Sequence, residues 1–131
     1  MWGDLDALGI VFYPRYYEWI DGCAHLFFAS LGLSLGDLAC DKKMIFGLVE
    51  TSCRYFQPGR YHQDIRIITA ISEIGDKTVT LTHNITLAAD GQALAEGREK
   101  RICLDISRPD ELRAVPIPPE IRRVLEQAYL P

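Results

Sequence analysis

The sequence predicts an α+β domain in which one long helix is wrapped by an antiparallel sheet. Three observations carry this. Apolar residues recur at spacings of three and four from Pro14 to Leu31, strict alternation runs from Thr78 to Leu87, and Gly75-Asp76 and Asp90-Gly91 stand where hairpin turns are needed. With 131 residues, 48% of them hydrophobic, the chain is long enough for one sizeable core, so residues 1–131 are read as a single domain.

Residues 1–12 read as a turn followed by a short apolar segment. The helix follows, with Tyr16, Ile20, Cys23, Phe27 and Leu31 on one stripe, widened by Trp19, Ala24 and Phe28. Pro14 suits a first helical turn and Gly32 suits the stop. At 1.5 Å per residue this helix spans about 27 Å, enough to cross a small sheet. Ser34 to Cys40 is read as a short second helix capped by Ser34. Strands are then expected over residues 44–56 and 62–74, separated by the breaker Gln57–Arg60 ("QPGR"). The next strand places Val79, Leu81, His83, Ile85 and Leu87 on one face and threonines with Asn84 on the other. Residues 92–104 return as a last strand, which makes the order a helix followed by a meander. From about residue 105 a proline-rich tail leads to a helix beginning near Glu120, with Ile121, Val124, Leu125 and Ala128 on one side.

Composition excludes several function classes. The net charge is −4 and the basic residues form no block longer than a pair, which leaves no footprint for nucleic acid. No apolar run approaches the ~18 residues of a membrane span. The acidic start lacks the basic region of a secretory signal. Cys23, Cys40, Cys53 and Cys103 show no C-x-x-C pairing and read as reduced thiols of a cytoplasmic protein. His25, His62 and His83 lack metal-ligand spacing, and His83 reads as a core histidine. Neither a G-x-S-x-G elbow nor a glycine-rich nucleotide loop is present, so no cofactor is expected.

The chemistry-bearing stretch is the start. Asp4 and Asp6 lie in a glycine-containing turn directly ahead of the helix. As turn formers they need no function, since aspartate bonds its own backbone two residues on. The alternative is catalytic. The first N–H groups of a helix lack intrahelical partners, and with the dipole behind them they can hold an oxyanion. A carboxylate a few residues upstream reaches the same carbonyl, an arrangement suited to acyl transfer. Phe12, Tyr13, Tyr16, Tyr17 and Trp19 are core residues or the wall of an aryl pocket. Arg98, Lys100 and Arg101 form a solvated face or grip an anionic carrier such as the phosphates of coenzyme A.

The stretch "WGDLDALGIVFYPRYYEWIDG" resembles the opening motif of the 4-hydroxybenzoyl-CoA thioesterase family of hotdog-fold proteins, which includes the YbgC-like acyl-CoA thioesterases. The later "EKRICLDISRPDELRAVPIPPEIR" is similar to that family's last strand and Arg-Ala-x-x-[Ile/Val]-Pro tail. The resemblance implies a hotdog fold and hydrolysis of a coenzyme A thioester. It places the catalytic carboxylate on Asp6 and the polarising backbone N–H on Tyr13, with Asp4 holding the loop. Gly9, Phe12, Arg98, Lys100 and Arg101 are the implied substrate contacts, the basic three by approximate match. Family sites lie between subunits, so a homodimer or homotetramer is implied. Two departures stand out. Only Met1 precedes Trp2, so the first strand is expected to be short or missing, or residues to precede Met1. Tyr13-Pro14 stands where many YbgC-like members have Tyr-His, which leans toward aryl-CoA substrates. Hotdog hydratases or dehydratases and non-catalytic acyl-thioester-binding modules share the fold and are the alternatives.

Overall fold

The computed structural model describes residues 13–60, 63–108 and 110–129. Asp4, Asp6, Gly9, Phe12 and His62 therefore lie outside the described residues. Helix α1 (Tyr13–Ser30) starts one residue ahead of Pro14 and ends before Gly32, whose φ of +77° is a left-handed stop that suits glycine. Its buried residues, Tyr16, Ile20, Ala24 and Phe28, repeat every four positions. Trp19, Cys23 and Phe27 are half-buried beside them. The long helix is thus where the periodicity puts it, with a narrower core stripe.

The expected second helix is shorter. Helix α2 (Leu35–Asp37) runs into one π-type turn, Leu38–Lys42, and Lys43 leaves it at φ 53°. Ser34 makes no side-chain cap bond. The chain then forms strands β1 (Met44–Tyr55), β2 (Ile65–Ile74), β3 (Thr78–Leu87), β4 (Ala93–Asp105) and β5 (Arg113–Ala114), and helix α3 (Pro119–Ala128). Pro119 at the first helical turn loses no hydrogen bond there.

Among the described residues every pairing is antiparallel, but the sheet order is β1-β4-β3-β2. Only β2, β3 and β4 form a meander. The segment between Tyr55 and Ile65 is too long for a tight hairpin, and β1 pairs instead with β4, from Met44 opposite Asp105 to Tyr55 opposite Ala95. Strand β5, too short to show a period in the sequence, continues the sheet on the β4 edge beyond the start of β3.

Two apolar clusters fill the space between helices and sheet. One joins Ala24 and Phe28 of α1 to Phe46, Val79, Leu81, Cys103 and, from the tail, Ile117, Ile121 and Leu125. The other joins Tyr16 and Ile20 to Ile85, Leu94 and Ala95. His83, on β3 between Leu81 and Ile85, marks the seam between them together with Glu99 and Arg101 of β4, and all three are buried.

Candidate active site

Tyr13 is the first residue of α1, so its backbone N–H is among those that helical geometry leaves without an intrahelical acceptor. No acidic residue stands in the first turn, and the helix's own side chains leave its positive end uncompensated. One turn on, Tyr16 is buried edge-on against Trp19 and Tyr55, with ring centroids 5.4 and 5.3 Å away. Burial raises the Tyr16 hydroxyl above its ordinary pKa, although a backbone hydrogen bond from Gly59 opposes the shift. The Gln57–Arg60 loop lies beside the helix start, with Gly59 itself buried. Tyr55 is pushed up more strongly, by burial first and then by its bonds to Cys53 and Tyr17. The aromatic residues near the helix start therefore divide. Tyr16 is core, while Tyr55 and Phe56, each about half exposed, flank the loop.

An open groove of about 600 Å³ runs along the outer side of α1 against β2. Trp19, Cys23, Leu26, Ile65 and Ile67 line it, with Glu18 at its edge. Its wall is apolar and aromatic, the surface an aryl or acyl chain requires.

The basic set divides between the two faces of the sheet. Successive side chains on a strand point to opposite faces, so Arg98 and Lys100 share one face while Glu99 and Arg101 share the other. Arg98 and Lys100 line a pocket of about 110 Å³ with Glu50 and Ser52, and Arg98 stands 3.9 Å from Glu73. Arg101 does not join them. Its guanidinium is buried under α1, where Nε donates to Glu99 Oε1 at 2.9 Å, Nη2 to Asp21 Oδ1 at 2.9 Å and Nη1 to the Phe46 carbonyl at 3.2 Å. The expectation that Arg101 forms a basic surface with Arg98 and Lys100 is corrected on this point by the pleat of β4.

Beside this cluster, His83 Nδ1 is 2.8 Å from Thr69 Oγ1, and Nε2 is 3.8 Å from Glu99 Oε1. A proton on Nε2 lets the Thr69 hydroxyl donate to Nδ1 and turns the imidazole N–H toward the carboxylate. Burial pushes the Glu99 carboxyl up, but His83 and Arg101 outweigh it and hold the group below its ordinary 4.5. His83 is thus a core histidine, as its strand position predicts. Asp21 and Glu99 fall within the two stretches that resemble the family, but nothing in either stretch gives them this role. The signal lies in alternation, because the inner face of β4 reads Ala95, Gly97, Glu99, Arg101, Cys103, with opposite charges adjacent in an otherwise apolar row.

The model of the thioesterase-like superfamily matches residues 1–125. The chain belongs to this superfamily. A 4-hydroxybenzoyl-CoA thioesterase of Pseudomonas sp. (strain CBS-3) is 27% identical over 121 residues, covering 88% of this chain and 85% of that protein. The structure of a gentisyl-coenzyme A thioesterase is 36% identical, with a TM-score of 0.79 over 95% of this chain and 93% of the other. A 4-hydroxybenzoyl-CoA thioesterase variant complexed with 4-hydroxybenzoyl-CoA superposes with a TM-score of 0.86 over 95% and 92% of the two chains, at 22% identity. This superfamily member has the hotdog fold, and its reading as a thioester hydrolase stands with that membership.

Proposed function

We propose that this protein hydrolyses the coenzyme A thioester of an aromatic acid, or of a short acyl chain, with Asp6 as its carboxylate and the Tyr13 N–H as its oxyanion donor. The observation that carries the reading is the intact D-x-D-x-x-G stretch placed immediately before a helix whose first residue is Tyr13 and whose first turn holds no acid. In the reaction, negative charge develops on the thioester oxygen as the tetrahedral centre forms. The helix N-terminus meets that charge with a fixed donor and a favourable dipole. Asp6 either attacks the carbonyl carbon, expelling the coenzyme A thiolate and leaving an acyl-aspartyl anhydride for water to cleave, or takes a proton from the water that attacks directly. Two relatives named for hydroxyaryl-CoA substrates, and the aromatic groove beside α1, favour an aryl acid over an aliphatic one.

Arg98 and Lys100 face away from α1, and the sheet stands between them and a thioester bound at Tyr13 of the same chain. In a homo-oligomer a second copy brings them to the coenzyme A phosphates. The experiment is a thiol-release assay across aryl and short aliphatic acyl-CoA substrates, with fastest release expected for hydroxyaryl thioesters. Binding without release identifies a non-catalytic acyl-thioester module. Hydration of a crotonyl thioester without thiol release identifies a hydratase. Either outcome overturns the proposal.

A further inference from the structure

We propose that the Asp21–Arg101–Glu99 cluster is a positioning device that sets where α1 rests on the sheet, and through α1 the placement of the oxyanion donor at Tyr13. The link to Tyr13 rests on the function proposed above, whereas the tether itself does not. A buried Arg–Glu pair is a poor source of stability, because desolvating both charges offsets most of their attraction and apolar replacements are often as stable. Arg101 does something an apolar residue cannot. Its three bonds reach three elements at once: Glu99 on its own strand, the Phe46 carbonyl on β1, and Asp21 on α1.

The steric half of the device lies one residue away. Gly97 faces Ile20, and a Cβ on Gly97 would overlap Ile20 Cδ1, so the missing side chain is what lets the helix lie this close to β4. Ile20 against Gly97 fixes the height of α1, and Asp21 on Arg101 fixes its rotation. The seam between the two apolar clusters is therefore where the helix is indexed to the sheet. Tyr13 lies eight residues from Asp21, about 12 Å along the helix axis. A tilt of about 5° about the tether displaces the Tyr13 N–H by about 1 Å by the same geometry. Misplacement on that scale can lower a rate about 100-fold.

Asp21 is the residue to vary, because its side chain is 59% exposed and its loss leaves the apolar clusters intact. Three variants of the full chain are compared: Asp21→Ala, Asp21→Asn, which keeps an acceptor for Arg101, and His25→Gln, which removes the only other group paired with Asp21 among the described residues, at 3.6 Å. Two readouts are taken: steady-state thiol release from the best aryl-CoA, and amide hydrogen exchange across residues 13–21. The proposal expects Asp21→Ala to lower kcat about ten-fold or more, within the range of misplacement effects, with KM changed less than about two-fold. It also expects faster exchange in the first turns, with both effects largely restored in Asp21→Asn and absent in His25→Gln. Unchanged kcat per folded molecule, or unchanged exchange, in Asp21→Ala overturns it. If the wild-type protein releases no thiol, the functional reading fails while exchange still decides the tether, accelerated supporting it and unchanged refuting it.

Discussion

Replacing Arg101 by methionine keeps the aliphatic stem and removes the guanidinium. Among the described residues Glu99, with its side chain 2% exposed, is then left facing only His83 at 3.8 Å, and both Asp21 and the Phe46 carbonyl lose a donor. Breaking a buried ion pair from one side costs about 3–5 kcal/mol. A chain of 131 residues has a total stability of roughly 7–20 kcal/mol. The substitution therefore removes a large share of it, which at about 3–5 °C per kcal/mol lowers Tm by roughly 10–25 °C. Arg98→Met is the control. Arg98 is 62% exposed on the opposite face and 3.9 Å from Glu73, and its loss changes stability by about 0.5 kcal/mol or less. Thermal and urea unfolding followed by circular dichroism measure both. Midpoints within about 3 °C of each other would refute the separation of the two arginines by the pleat of β4 and the buried role given to Arg101.

Gly97→Ala should destabilise by about 1–3 kcal/mol in urea unfolding, since its Cβ would overlap Ile20 Cδ1 and lie 3.1 Å from Cγ1, and a wild-type midpoint would show that α1 does not rest on Gly97. Glu99 titrates below its ordinary value in the folded chain, so it contributes stability present above about pH 4.5 and lost as pH falls through the folded value. Urea midpoints from pH 7 to pH 3 should fall less steeply in Glu99→Gln than in wild type, and parallel profiles would contradict the assignment. Burial raises the thiols of Cys23, Cys53 and Cys103, while Cys40 is exposed. Alkylation of the native protein near neutral pH, followed by mass spectrometry, should therefore mark Cys40 first and Cys103 last.

What the sequence made legible follows from how local each signal is. The helix from Tyr13 and strand β3 announce themselves because their periods run over many residues and one face of each is buried. Glycines at 32 and 91 take positive φ, as their turn positions predict. The order of the sheet was not legible, because the pairing of β1 with β4 joins residues about fifty positions apart and has no turn to announce it. Strand β5 is two residues long and carries no period at all. At the site, the helix start is readable because Pro14 and the apolar spacing act within a few residues, whereas the opening motif is read by resemblance and its carboxylates lie outside the described residues. The tether is not readable, since Asp21 and Arg101 are 80 positions apart and meet only through the packing of Ile20 on Gly97. Reading Arg98, Lys100 and Arg101 as one basic patch treated neighbours in sequence as neighbours in space, and alternation along a strand separates them.

In the proposed reaction the carboxylate of Asp6, a few residues ahead of α1 in the sequence, carries thioester hydrolysis. The most direct test of that role is thiol release by Asp6→Asn, beside wild type, on the aryl-CoA that wild type cleaves fastest. Asp6→Asn is expected to lose about 100-fold or more in kcat, as for removal of a general base or nucleophile, with coenzyme A binding retained. Turnover by Asp6→Asn at the wild-type rate would contradict it.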